Sequence, residues 1–196
     1  MADGTFPEGA ELIAELNDLL ALDHDAVQAY SLAIGRISNA EYRETLAGFR
    51  GDHQRHIERL TQLIQDRGGV PVQLPHIPTG VFKAAMQALA GLGDDRAVLL
   101  AFKTNEGQVR DKYRRHAARP HDPGVSAVVH GAAVDEERHY AWVEEVVERM
   151  GAGPDTLLGS AQQAAQAVQG RAADVVESAG RRVAETVERM RPGGAE

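Results

Sequence analysis

Several features that place a protein in a common class are missing from this sequence, beginning with cysteine, of which there is none. That absence excludes disulfide bonds, cysteine-based zinc sites, iron–sulfur clusters and a thiol nucleophile. No apolar run approaches the roughly 18 residues of a membrane-spanning helix, and residues 1–10 lack a basic segment followed by an apolar core. We therefore expect a soluble, cytoplasmic protein.

Positive charge is also in short supply. The 21 Lys and Arg residues are outnumbered by 29 Asp and Glu, which gives a formal net charge of -8. A nucleic-acid-binding surface needs positive charge to neutralise phosphates, so we expect no nucleic-acid partner. At 196 residues and 43% hydrophobic content, the chain can bury a sizeable core as one domain with an appendage.

What the sequence does contain is a duplicated helical pattern. Apolar residues recur at spacings of three and four in four segments, and the middle of each apolar stripe is polar. Equivalent residues of the first and second pair of segments lie 83 positions apart, as Asp23 and Glu106 do. The same offset relates Tyr30 to Tyr113. The chain is therefore predicted to be a duplicated helical hairpin.

The predicted helices span residues 11–37, 39–67, 94–118 and 125–150. A short turn at Ser38 and Asn39 makes the first two antiparallel, and a turn at residues 119–124 does the same for the last two. The connection of roughly 25 residues between the hairpins, with a short helix at 81–89, suits a crossover along the outside of a bundle. We predict an all-α, antiparallel four-helix bundle over residues 11–150, preceded by a flexible N-terminus at 1–10.

The polar residues in the middle of the stripes form one candidate site. Antiparallel hairpins bring the centres of all four helices to one level, so these side chains should meet there. Without a cation, three carboxylates would face each other in low dielectric and some would have to remain protonated. A divalent metal removes that penalty. The predicted ligands are Asp23, His53, His56, Glu106, Glu136 and His139.

The motifs at these residues resemble those of the ferritin-like superfamily. On the first and third helices an acid is followed seven residues later by Tyr, and the fourth helix carries Glu136-x-x-His139. The segments 22–30, 52–57 and 68–71 resemble a bacterial branch of small ferritin-like proteins. The resemblance covers residues 11–150 and implies a di-iron or other di-metal centre that oxidises Fe(II) or reduces dioxygen or peroxide in stress protection.

The resemblance also implies roles for individual residues. Asp23 and Glu106 would be terminal acids and Glu136 a bridging acid, with His56 and His139 as imidazole ligands. Tyr30 and Tyr113 would line the site as catalytic residues, with plain aromatic core as their alternative role, and Asp52 and Asp135 would orient imidazoles from behind. Iron is the expected metal, with manganese or zinc as alternatives.

Two positions depart from the family pattern. His53 stands where a second bridging Glu is usual, and Asp23 is one methylene shorter than the usual Glu. Three carboxylates leave two divalent ions with one excess positive charge unless hydroxide, oxide or Asp52 supplies the difference. A mononuclear bundle similar to hemerythrin is a weaker alternative, because its ligands use His-x-x-x-Glu and His-x-x-x-His spacings.

The segment 155–192 has a different composition, rich in Ala, Gln and Val, and is predicted to form an amphipathic fifth helix. We expect it to dock on the bundle or to form a homo-oligomer, with contact to a membrane or polymer surface as the lesser alternative. A second hypothesis for the whole chain follows: a non-enzymatic assembly or stress protein that acts through this helix.

Overall fold

The computed structural model describes residues 9–73 and 95–151. The chain divides into two units, Met1–Gly153 and Pro154–Glu196, and every described residue belongs to the first. The predicted flexible N-terminus, the short helix at 81–89 and the fifth helix at 155–192 lie almost wholly outside the described residues. Within the described ranges, no helix is both long enough and apolar enough to cross a membrane.

Four helices and no strands make up the described part of the chain: α1 (Ala10–Ile34), α2 (Ala40–Asp66), α3 (Asp95–Ala117) and α4 (Pro123–Arg149). Over these residues the predicted all-α four-helix bundle is confirmed. α1 ends three residues earlier than predicted, because Gly35 begins a turn in which Ile37 N–H bonds to the Ala33 carbonyl. Ile37 is nevertheless buried in the core, which is why it fits the helical periodicity.

The helices form two hairpins. α1 packs along α2 and α3 along α4, and the hairpins meet through α1 with α3 and α2 with α4. The duplication is visible at the helix ends, where Gly68 after α2 and Gly151 after α4 have positive φ angles of 73° and 75°. Glycine adopts this left-handed conformation at little cost and so ends both second helices in the same way.

Polar contacts at both ends of the bundle hold the hairpins in register. At one end, the Asp95 carboxylate at the start of α3 accepts hydrogen bonds from the backbone N–H groups of Ser38 and Asn39, in the α1–α2 turn, at 2.7 and 2.9 Å. At the other end, Arg67 donates to the Asp122 carboxylate at 2.8 Å. Asp122 also caps α4 through the N–H groups of residues 124 and 125. These contacts fix the relative height of the helical turns that carry the candidate ligands.

The apolar core is divided into two clusters, each built from all four helices. One contains Tyr30, Phe49, Phe102 and Val143, and the other Leu19, Leu60, Val109 and Ala132. In every helix the chain passes from one cluster to the other through the predicted polar positions. The candidate ligands therefore occupy a polar layer between two apolar halves, which seal it on both sides.

Candidate metal centre

Six polar side chains lie in this central layer, each no more than 3% exposed. α1 and α3 contribute one carboxylate each, α2 contributes two imidazoles, and α4 contributes a carboxylate and an imidazole. They are the six residues that the stripe pattern predicts as ligands: Asp23, His53, His56, Glu106, Glu136 and His139. The structure divides them into two overlapping groups.

The first group, called site A here, comprises Asp23, His53, His56 and Glu136, whose ligand atoms lie within 4.8 Å of one another. His53 Nδ1 is 2.8 Å from Asp23 Oδ1 and 3.5 Å from Glu136 Oε1. His56 Nδ1 is 3.4 Å from Asp23 Oδ1 and 3.6 Å from Glu136 Oε1. Two imidazole nitrogens and two carboxylate oxygens thus converge on one point, where a metal ion could be held.

The second group, called site B, comprises His53, Glu106, Glu136 and His139, and its ligand atoms also lie within 4.8 Å of one another. His139 Nδ1 is 3.7 Å from Glu136 Oε2 and 4.0 Å from Glu106 Oε2. Glu136 therefore presents Oε1 to site A and Oε2 to site B. His53 and Glu136 are the two residues that the sites share.

Most of the ligand atoms are buried and have no hydrogen-bond partner. Buried polar atoms in folded proteins are nearly always paired, and leaving one unpaired costs about 1–3 kcal/mol. Six such atoms belong to the residues of sites A and B, so a cation in each site would satisfy them together. Carboxylate oxygens and imidazole nitrogens are a donor set that suits divalent transition metals. The atoms are His53 Nε2, His56 Nδ1, Glu106 Oε1, Glu136 Oε1, Glu136 Oε2 and His139 Nδ1.

Two imidazoles are held from behind by carboxylates of the opposite hairpin. His56 Nε2 lies 3.1 Å from Asp135 Oδ2, and His139 Nε2 lies 2.9 Å from Asp52 Oδ2. When the Nε2–H donates to the carboxylate, the Nδ1 lone pair of each ring faces its site, a tautomer assigned from these hydrogen bonds. This is the orientation that a metal-binding imidazole needs.

The two outer carboxylates are themselves held by arginines. Arg138 Nη2 donates to Asp52 Oδ2 at 2.8 Å and to Asp135 Oδ1 at 2.7 Å, so that it joins the two hairpins. Arg55 also donates to Asp52. Both arginine side chains are about half exposed, at 52% and 55%. A chain of contacts therefore runs from the surface through the carboxylates to the imidazoles.

The two predicted tyrosines are fully buried, and each donates a hydrogen bond to an acidic candidate ligand of the other hairpin. The Tyr30 O–H donates to Glu106 Oε2 at 2.9 Å, and the Tyr113 O–H donates to Asp23 Oδ2. One oxygen of each of these two acids is thus fixed by a phenol. Glu106 Oε1 is left without a partner in site B, whereas Asp23 Oδ1 faces the imidazoles of site A.

Residues 11–119 match the model of a family described as a domain of unknown function, DUF2383. The chain belongs to this family. The match spans α1, α2 and α3, with Asp23, His53, His56 and Glu106, and stops before α4, which carries the shared Glu136 and His139. No curated protein and no solved structure matches the chain.

Burial acts to raise the pKa of all three carboxyls in the centre of this DUF2383 chain, but their neighbours differ and so do the resulting shifts. Burial and the neighbouring charges of Glu106 and Asp23 raise the pKa of Glu136 well above its usual range. Burial likewise raises the pKa of Glu106 to about 7, although His53 and the Tyr30 hydrogen bond oppose it. At Asp23 burial is outweighed by the hydrogen bond with His53 and by the nearby imidazole of His56, so that its pKa is lowered.

The pKa values of His139 and His56, the two imidazoles whose Nε2 atoms contact carboxylates, are shifted in opposite directions. Burial, with the charges of His53 and Arg138, lowers the pKa of His139 to about 2, so this ring is neutral and its Nδ1 lone pair is free. Burial acts in the same direction on His56, but Asp23 and Asp135 outweigh it and raise the pKa of that ring. A cation in site A would compete with a proton for His56 Nδ1.

The sequence pattern predicts that all six candidate ligands lie in one layer. It does not predict which contacts cross between the two hairpins. Asp52 and Asp135 were expected to orient imidazoles, and each does so across the bundle and not within its own helix. The role of Arg138 was missed altogether. A signal for it was present, because Arg55 and Arg138 obey the 83-residue offset next to the candidate ligands.

Proposed function

We propose that sites A and B bind two metal ions as a ferritin-like di-iron centre, which oxidises Fe(II) with dioxygen or peroxide. The observation that carries the proposal is the set of buried, unpaired ligand atoms in two groups that share His53 and Glu136. Di-iron and di-manganese helical bundles take an acid from each of two helices and an acid-x-x-His pair from each of the other two. Asp23, Glu106 and the Glu136-x-x-His139 pair match this arrangement, and α2 departs from it by having His53 in place of the acid.

Iron fits this donor set better than manganese does. Three imidazoles among six candidate ligands favour a transition metal that accepts nitrogen, whereas manganese prefers carboxylate, carbonyl and water oxygens. Zinc accepts the same ligands but has no redox chemistry. The proposal of iron therefore goes together with the proposal of an oxidoreductase, and a centre that held only zinc would be structural.

The residues around the centre have distinct tasks in this proposal. Iron, when bound, would supply the electrons that reduce dioxygen or peroxide. Glu136 would offer one oxygen to each ion, while Tyr30 and Tyr113 hold the carboxylates of Glu106 and Asp23. His56 and His139 present their Nδ1 lone pairs because Asp135 and Asp52 hold their Nε2–H groups. The apolar clusters on either side exclude bulk water from the reacting ions.

The test is the rate of Fe(II) oxidation after anaerobic loading, when air-saturated buffer or peroxide is added. The matched variants are Glu136→Gln, which removes the shared carboxylate, and Glu137→Gln, which removes a neighbouring surface carboxylate paired with Arg114. We expect the wild type and Glu137→Gln to oxidise iron at the same rate, and Glu136→Gln to fall to the rate of buffer. A wild-type rate no faster than buffer would refute the oxidoreductase.

The competing hypothesis of an assembly protein that acts through residues 155–192 remains a prediction, as does homo-oligomer formation, because those residues lie outside the described part of the chain. Neither explains the unpaired ligand atoms of sites A and B. We therefore place the function of this chain in the centre of its bundle.

A further inference from the structure

His53 stands on α2 where the ferritin-like pattern has a carboxylate, and it is the α2 residue that both sites share. His53 is fully buried. Its Nδ1 lies 2.8 Å from Asp23 Oδ1 and 3.5 Å from Glu136 Oε1, among the ligand atoms of site A. His53 also belongs to site B, with Glu106 and His139.

The other ring nitrogen of His53, Nε2, is unpaired. His53 Nε2 is buried and has no hydrogen-bond partner, and its ring centroid is 5.3 Å from that of the site B ligand His139. Each imidazole nitrogen has one lone pair to offer a metal, so a single nitrogen cannot serve two ions. If His53 serves both sites, it must do so through both nitrogens.

We propose that His53 binds both ions, through Nδ1 in site A and through Nε2 in site B. This inference depends on the proposed two-metal centre. Each ion then receives a terminal acid, a terminal imidazole, one oxygen of Glu136 and one nitrogen of His53. The two sites become equivalent in the kinds of ligand that they contain, as the duplicated scaffold would suggest.

The charge of the centre supports the same assignment. Asp23, Glu106 and Glu136 provide three negative charges, one fewer than two divalent ions require. A ring that binds through both nitrogens has released its N–H proton to solvent and carries one negative charge. His53 therefore supplies the missing charge, and no additional anion is needed for neutrality. A carboxylate at this position would supply the same charge.

The test uses Cu(II) as the probe and counts ions as well as their interaction. After loading and gel filtration, copper per chain is measured, and electron paramagnetic resonance reports whether the two spins are coupled. Metal-free samples of every variant are first compared by circular dichroism to confirm folding. The variants are His53→Gln, which cannot bridge as an anion, His53→Glu, which restores a bridging anion, and His130→Gln, which alters an exposed histidine of α4.

We expect about two coupled copper ions in the wild type, in His130→Gln and in His53→Glu, and about one uncoupled ion in His53→Gln. Two coupled ions in His53→Gln would overturn the role of His53 and leave the two-metal centre intact. A single ion in the wild type would overturn the shared ligand. If the wild type bound no copper, zinc or iron, the proposed centre would fail as well, so the two failures are distinguishable. If His53→Gln does not fold, His53→Glu decides: fewer than two ions, or two uncoupled ions, would contradict the bridging role.

Discussion

The hairpin α1–α2 and the hairpin α3–α4 carry corresponding polar residues, yet neither contains all the residues of either candidate site. Site A takes Glu136 from the second hairpin, and site B takes His53 from the first. The supporting contacts cross over as well, since Tyr30 holds Glu106 and Tyr113 holds Asp23. The centre therefore depends on the association of the hairpins, and the duplication is useful only when both copies are folded together.

The hairpins differ at a few positions, and these determine how the two sites should differ. The shared position is imidazole in one copy and carboxylate in the other, at His53 and Glu136. The acid that belongs to only one group is Asp23 in site A and the longer Glu106 in site B. Behind the imidazoles, the Asp52 side chain is 6% exposed and the Asp135 side chain 28%. Each difference can be tested by making the same change in both copies.

The largest expected difference between the two sites is in how much metal affinity each loses when the carboxylate behind its imidazole is removed. Loss of such a partner typically weakens metal binding about 10–100-fold. Asp52→Asn should weaken binding in site B towards the upper limit, because Asp52 is buried and also holds Arg55 and Arg138. Asp135→Asn should weaken site A less. Titration of metal-free protein with Zn(II) in a calorimeter measures both, and equal losses would contradict the ranking.

The tyrosines offer a smaller comparison, in stability. At pH 6 the lowered pKa of Asp23 keeps it ionised, so Tyr113→Phe removes a hydrogen bond to a charged group, worth about 1.5–3 kcal/mol. The pKa of Glu106 is about 7, so Tyr30→Phe removes a bond to a largely neutral group, worth about 0.5–1.5 kcal/mol. Urea unfolding of chelator-treated protein at pH 6 tests this order. A greater loss in Tyr30→Phe would refute it.

Removal of the Glu106 carboxyl and removal of the Asp23 carboxyl should change the stability of the protein with different pH dependences. The folded pKa of Glu106, about 7, lies above its unfolded value, so its contribution to stability is complete at acid pH and is lost as pH rises through 7. In chelator-treated protein, Glu106→Gln should gain a few degrees in Tm over the wild type between pH 5.5 and 8.

The folded pKa of Asp23 is lowered, so its contribution is present above the unfolded pKa of about 4 and is lost only as pH falls below it. The Asp23 carboxyl itself therefore adds no pH dependence between pH 5.5 and 8. Its removal also takes away a group that raises the pKa of His56, so Asp23→Asn should lower the Tm more at pH 5.5 than at pH 8. A Glu106→Gln difference that did not change with pH would contradict the assignment of a raised pKa to that carboxyl.

The sequence pattern predicts the four described helices and the depth of the candidate ligands well, because both follow from the periodicity of single helices. Polar residues in an apolar stripe must lie in the core, and the 83-residue offset brings two stripes into register. The pattern does not specify which helices are neighbours across the bundle. For that reason Asp52 could not be paired with His139 in advance, nor Arg138 with both outer carboxylates. The end of α1 was placed too late because Ile37 stays buried after the helix has ended.

The most direct test of a two-metal centre is metal content per chain after anaerobic loading with Fe(II), measured by elemental analysis on the wild type and on a double variant, Glu136→Ala with His139→Ala. The double variant removes the shared carboxylate of both sites and one imidazole of site B. We predict about two ions per wild-type chain and their loss in the variant. A wild type that binds no metal, or a variant that binds as much as the wild type, would contradict the account.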